Sequence, residues 1–185
     1  MKDLPSIIAI LGLPGSGKTE AVHYVMEKYH WPKVYFGAIT LNEVKARGLP
    51  LTPENEHIVR EDLRARFGDE YYANKIIEEI DAISGVDAVM VESLYSWIEY
   101  KVLKQRYKDR LFMIAVFASP QLRYQRLASR PVRPLSPEQA QIRDIAQIEN
   151  FTQGGPIAIA DHTIINQGSV DELYAALDKI ISSIV

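Results

Sequence analysis

The sequence predicts an α/β fold in which a parallel sheet is buried between helices. Two observations carry that reading. Short runs such as Ile7-Ile8-Ala9-Ile10-Leu11 are apolar without alternation and rich in β-branched residues, as in a strand covered on both faces. Between successive runs lie longer stretches with helical spacing of apolar residues and capping signals at their starts, so strands and helices alternate along the chain.

Ile7 to Leu11 is the first strand. Ser16-Gly17-Lys18-Thr19 opens a helix whose core stripe is Val22, Val25, Met26 and Tyr29. Val34-Tyr35-Phe36 is the second strand. Residues 38 to 84 are helical in pattern throughout, longer than a simple crossover needs, and Thr52-Pro53 supplies a capping hydroxyl and a first-turn proline within them. Ala88-Val89-Met90-Val91 and Leu111 to Phe117 are the third and fourth strands, and Ser119-Pro120 starts the helix after the fourth. Residues 129 to 157 hold four of the ten prolines together with Gly154-Gly155, and contain the capping box Ser136-Pro137-Glu138-Gln139. Thr163-Ile164-Ile165 is the last strand. The box Ser169-Val170-Asp171-Glu172 then opens a helix with the stripe Val170, Leu173, Tyr174, Leu177, Ile180, Ile181 and Ile184. The two irregular stretches read as mobile flaps on one rigid sheet rather than as separate domains.

A chain of 185 residues with 47% hydrophobic and 24% charged side chains suits one soluble globular domain and argues against disorder. There are no cysteines, which excludes disulfides, thiolate metal sites, iron–sulfur clusters and thiol catalysis. With 21 basic and 24 acidic side chains the net charge is −3, so nothing drives the chain toward nucleic acid or an anionic membrane. Met1 to Ser6 precede only five apolar residues, too few for a signal-peptide core, and no apolar run is long enough to cross a bilayer. The expectation is a cytoplasmic monomer or homodimer acting on a small molecule.

Gly12-Leu13-Pro14-Gly15-Ser16-Gly17-Lys18-Thr19 matches G-x-x-x-x-G-K-[ST] at every fixed position, with a buried strand before it and an amphipathic helix after it. The glycines permit the backbone dihedrals that turn N–H groups inward around phosphate oxygens, and the helix N-terminus adds its dipole. Lys18 then bridges the β- and γ-phosphates and the Thr19 hydroxyl faces Mg²⁺, so the motif calls for ATP and Mg²⁺. The third strand ends in Glu92, the expected acid beside the loop, with a reach that suits Mg²⁺-bound water or a base-like role. Arg123, Arg126 and Arg130 recur at helical spacing with Arg133 just beyond and no acid between Ser119 and Arg133. Unpaired guanidinium groups on one helix face repel unless an anion neutralises them, and a polyphosphate does so; Arg143-Asp144 is placed to close over the same anion. Asn166-Gln167-Gly168-Ser169 lies at the edge of the sheet where ligands bind, with its backbone available to a base, or is an ordinary turn and cap. Tyr95, Trp97 and Tyr100 line an acceptor pocket or, more simply, belong to the core. His23, His57 and His162 lack the companions of a metal site.

These residues resemble the nucleoside-monophosphate-kinase-like branch of P-loop kinases, which includes adenylate kinase and dephospho-CoA kinase, and most closely an archaeal set of kinase-like proteins. The resemblance covers nearly the whole chain. It rests on Gly12 to Thr19, on Gly37 with Arg47-Gly48-Leu49 and Thr52-Pro53-Glu54-Asn55, and on the strand ending at Glu92. It continues through Ala118-Ser119-Pro120 with Arg123, Arg126-Leu127 and Arg130, through Arg143-Asp144, and through Ala160 to Ser169. It implies a three-layer P-loop fold with a five-stranded parallel sheet, a lid about 130–145 and a helical acceptor-binding insertion about 38–84. It implies that Arg126 and the turn with Asn166 and Gly168 lie near the adenine, and that Arg130 and Arg143 act on the transferring phosphoryl group. Ala38, Leu41, Glu92 and Tyr95 stand where that family often has an acid, an Arg, an Asp and an Arg. Without an acid at position 38 a hydroxyl acceptor lacks its base unless Glu92 serves, whereas a phosphate acceptor is already ionised and needs cations, for which Arg47, Arg60 and Arg64 are available. The expected activity is ATP-dependent transfer of a γ-phosphoryl group to a nucleotide-like small molecule, the alternatives being an ATP-binding switch or scaffold that has lost acceptor chemistry, or a kinase of a neutral hydroxyl metabolite.

Overall fold

A computed structural model describes residues 4–131 and 133–185. Met1 to Asp3 of the N-terminal reading, and Val132 within the segment read as a lid, lie outside the described residues. Five strands, β1 (Ser6–Leu11), β2 (Lys33–Tyr35), β3 (Ala88–Glu92), β4 (Leu111–Phe117) and β5 (His162–Ile165), form one sheet in the order β2-β3-β1-β4-β5. Every pairing is parallel. The register pairs Ile10 with Glu92, Leu11 with Ala115, Tyr35 with Glu92 and Phe117 with Ile165, so the strands end together along one edge. In a sheet of this kind that edge is where a ligand finds helix N-termini and loops.

Alternate residues of each strand face opposite layers. Ile7, Ala9 and Leu11 of β1 pack with Val89, Val91 and Met113 beneath the helices α2 (Phe36–Ala46), α3 (Pro53–Phe67), α4 (Tyr71–Asp81) and α5 (Trp97–Tyr107). Ile8 and Ile10 pack with Met90, Ile114 and Val116 beneath α1 (Lys18–Tyr29) and α9 (Val170–Ile181), through Val22, Val25, Leu173, Leu177 and Ile181. The remaining helices are α6 (Pro120–Ser129), α7 (Pro137–Glu149) and the short α8 (Gly154–Ala158). Among the described residues no helix is long and apolar enough to cross a membrane.

Local signals were sound for most elements. Thr52 accepts from the Asn55 N–H with Pro53 in the first turn, and Ser136 makes both halves of its box. Ser169 makes the forward bond, to the Glu172 N–H. Ser119 makes no side-chain cap bond, and proline alone sets the start of α6. Phe36 belongs to α2 rather than to β2, because its ring is buried against the sheet as the first residue of that helix. A capping box at Ser96 and Glu99 starts α5 although the aromatic run around it hides the signal.

Candidate active site

The loop between β1 and α1 is held from outside by side chains that donate to its carbonyls. Gln153 Nε2 reaches Gly12 O at 3.3 Å, and Arg123 Nη1 reaches Pro14 O at 3.0 Å. Asn166 Nδ2 reaches Ser16 O at 2.8 Å, with Arg126 Nη1 at 3.5 Å from the same oxygen. Within the turn the Ser16 N–H donates to Leu13 O at 3.1 Å. Gly17 needs its positive φ of 104° and its missing side chain, since a Cβ there would run into the Asn166 amide. A Cβ on Gly12 would lie 2.5 Å from both Ser16 Oγ and Val116 O. Ser16 Oγ is buried without a partner inside this turn. A tight turn at a helix N-terminus with an orphan hydroxyl in it fits an anionic phosphate tail.

Lys18 is the first residue of α1 and is half-buried. Burial lowers its pKa to about 8, Arg143 pushes the same way, and Glu92 opposes both. Thr19 stands exposed in the same turn. Glu92 ends β3 next to β1, but its carboxylate is taken by Lys33 Nζ at 2.5 Å. Ser93, just after it, holds a left-handed φ of 67°. The Thr19 hydroxyl and the Glu92 carboxylate are oxygens of the kind Mg²⁺ takes. No cluster of three or more His, Cys, Asp or Glu able to hold a metal occurs among the described residues. That set fits an ion carried in by a nucleotide and held by one or two protein oxygens, as Mg²⁺ prefers.

The arginine face divides. Arg123 is buried, 3% exposed, and forms a bidentate pair with Asp144 of α7 at 2.8 and 2.6 Å, so it holds the loop and is not free for an anion. Asp144 is correspondingly spent, also accepting from Tyr124 Oη at 3.1 Å. Arg130 lies just past α6 in extended backbone rather than on its helical face, and its Nε donates to Arg133 O at 2.6 Å. Burial lowers the Arg130 pKa, with Arg143 and Arg133 adding to the shift. Arg143 is therefore a cation felt by both Lys18 and Arg130, and it lines a cavity together with Arg133. Asn166 sits beside the loop as expected, but its side chain holds Ser16 and its N–H donates to Phe117 O at 2.7 Å. A Cβ on Gly168 would run into the Glu172 carboxylate. Trp97 and Tyr100 pack together, while Tyr95 lines a cavity. His23 and His57 are exposed.

That cavity, about 560 Å³, opens beside β2, β3 and α3. Arg60, Arg64, Arg133 and Arg143 line it against two carboxylates, Glu56 and Glu99. Its walls include Tyr35, Phe36, Tyr72 and Phe151. Arg47, expected among its cations, is instead bonded to Glu43 and Asp62. Glu99 is buried, and that burial raises its pKa. Its Oε2 accepts from the Tyr95 and Ser96 N–H groups, and Oε1 lies 3.9 Å from Arg64 Nη2. The sequence marked neither Phe151 nor Gln153, whose places depend on the chain's return after α7. Glu99 was also unmarked, although it is the fourth residue of an S-x-x-E box.

A family model described as an AAA domain matches residues 11–149. A UPF0200 protein of Thermococcus sibiricus is 32% identical over 178 residues, covering 94% of this chain and 93% of the relative. Among solved structures, TT1252 from Thermus thermophilus superposes with a TM-score of 0.66 at 19% identity, covering 98% of each chain. Shikimate kinase from Bacteroides thetaiotaomicron does so at 0.59 and 11% identity, covering 96% of this chain and 98% of that one. At those identities the structural likeness speaks to the fold, a P-loop kinase-like α/β fold.

Proposed function

The chain belongs to the AAA-domain family and to the UPF0200 proteins, and on that premise we propose that it is a cytoplasmic ATP-dependent kinase that transfers the γ-phosphoryl group to a nucleotide-like, phosphate-bearing acceptor. The observation that carries this is the cavity beside the phosphate loop. Its four arginines against two carboxylates suit an anion, and its aromatic walls suit a planar ring.

In this reading Lys18 spans the β- and γ-phosphates, and the loop N–H groups hold the β-phosphate. Arg130 and Arg143 neutralise the charge that spreads over the transferring group, so the chemistry is positioning and electrostatics. The Thr19 hydroxyl, and Glu92 once released from Lys33, would hold Mg²⁺ brought with the nucleotide, which would supply further neutralisation of the phosphate oxygens. The lid expected at about 130–145 closes over the cleft and excludes water. An ionised phosphate acceptor needs no base. A neutral hydroxyl acceptor does, and Ala38 offers none while Glu92 is held by Lys33, which favours the phosphate acceptor.

The test is an acceptor panel of nucleoside monophosphates and dephospho-CoA with labelled ATP and Mg²⁺. Transfer to at least one member is expected, and Lys18→Ala abolishes it. Arg130→Ala lowers turnover by about 10²-fold or more while changing ATP affinity far less. Tight ATP binding without transfer to any member would replace this reading with that of an ATP-binding switch.

A further inference from the structure

Residues 151 to 153 leave α7 and attach, one after another, to three different parts of the site. The Phe151 ring lies under the guanidinium groups of Arg60 at 5.7 Å and Arg64 at 5.8 Å, both on α3 and both lining the acceptor cavity. Thr152 holds a left-handed φ of 53°, and its Oγ1 accepts from the Trp97 backbone N–H at 3.0 Å, at the start of α5. Gln153 is fully buried and donates to the first glycine of the phosphate loop, Gly12 O. Its Oε1 has no partner, and its bond to Gly12 is long at 3.3 Å.

Adjacent Cα atoms are fixed about 3.8 Å apart, so a link this short cannot yield at one anchor without moving the others. The two arginines cannot swing onto an anion without changing how they rest on Phe151. An under-bonded buried amide is where a second arrangement costs least, because a shift there breaks one weak bond and offers a free oxygen a new one.

We propose that Phe151-Thr152-Gln153 is a positioning strap of the kinase site, in which Phe151 seats the arginines that receive the acceptor's anion and Gln153 carries the strap's position to Gly12 of the phosphate loop. This rests on the nucleotide-site reading given above. It makes Phe151 and Gln153 positioning residues that couple the acceptor side to the donor side.

Trp97 reports the strap. Its backbone is bonded to Thr152, and its ring lies so close over Gly155 that a Cβ there would meet it at 2.8 Å. Trp97 is 37% exposed and Trp31 is 8% exposed, so emission quenched by acrylamide belongs to Trp97. The protein is first titrated with ADP and Mg²⁺ by calorimetry, then the ADP-saturated protein is titrated with inorganic phosphate while Trp97 emission is followed. Phosphate is expected to change that emission. Phe151→Leu is expected to weaken phosphate by about five- to tenfold, the share two ring–guanidinium contacts contribute, and to remove the emission change, with ADP affinity held within about twofold. Phe151→Tyr restores both. Gln153→Leu weakens ADP and also removes the emission change caused by phosphate. Phe151 is half-buried, so Leu is tolerated there; should that variant fail to fold by circular dichroism, Phe151→Met gives the same readout. An unchanged phosphate response in the Leu or Met variant, or no response in the unmodified protein that binds ADP, overturns the strap and leaves the nucleotide reading standing. No ADP binding at all overturns both.

Discussion

Lys18 is a cation kept from water among other cations, and its proton is held less firmly than in the unfolded chain. The folded group loses its proton near pH 8, and the unfolded one near its ordinary 10.5. Between those values the unfolded state binds more protons, so the ligand-free protein should become more stable as pH rises from about 8 toward 10. Above pH 10 the slope should reverse, because burial holds the Tyr35 and Tyr72 phenols above their ordinary value and the folded state then binds more protons. Thermal melting across pH 8–10 checks this, and Lys18→Met should flatten the rise. Arg123 makes the opposite case, a buried cation fully matched by Asp144. Arg123→Ala should cost about 3–5 kcal/mol in urea unfolding, since it strands a buried carboxylate and frees the Pro14 carbonyl. Arg123→Leu combined with Asp144→Leu should cost less than the sum of the single changes. Lys18 was legible because its motif is local. The fate of Arg123 was not, because the acid that neutralises it stands 21 residues further along the chain.

At the scale of elements, caps decide where helices start and, at α5, what faces the cavity. Ser96 and Glu99 cap each other, which fixes Glu99 with one oxygen on backbone N–H groups and the other toward Arg64. Ser96→Ala should cost about 1 kcal/mol in stability by denaturant titration, as an N-cap does. Helix α7 is tied to the phosphate loop through Asp144 and Arg123. It cannot swing as one piece without breaking a buried pair. Hydrogen exchange should therefore show slow amides in 144–148 of the ligand-free protein. The insertion after β2 was readable as helical in pattern throughout. Which of its arginines face the cavity was not, because Arg47, Arg60 and Arg64 differ only in the carboxylates that packing brings to them.

For the molecule as a whole, one sheet serves two apolar layers, and β1, β3 and β4 contribute residues to both. A fold with no independent core in either layer should unfold in a single calorimetric transition, with calorimetric and van't Hoff enthalpies equal. The net charge of −3 hides a cleft rich in arginine, so nucleotide affinity should fall as salt is raised even though the chain is acidic. The strands, the order of elements and the phosphate loop were set by local pattern: runs of β-branched residues, caps, and one motif whose eight positions are contiguous. A contiguous segment carries its own geometry, which is why these could be read before any contact was known. The pairing of Arg123 with Asp144, the hold of Lys33 on Glu92, the clamp of Asn166 on the loop and the link from Phe151 to Gln153 came only from the tertiary structure. Each joins residues far apart in the chain. Charge and hydrogen-bonding groups are satisfied by whatever neighbour folding supplies, and a sequence states the groups without stating the neighbours.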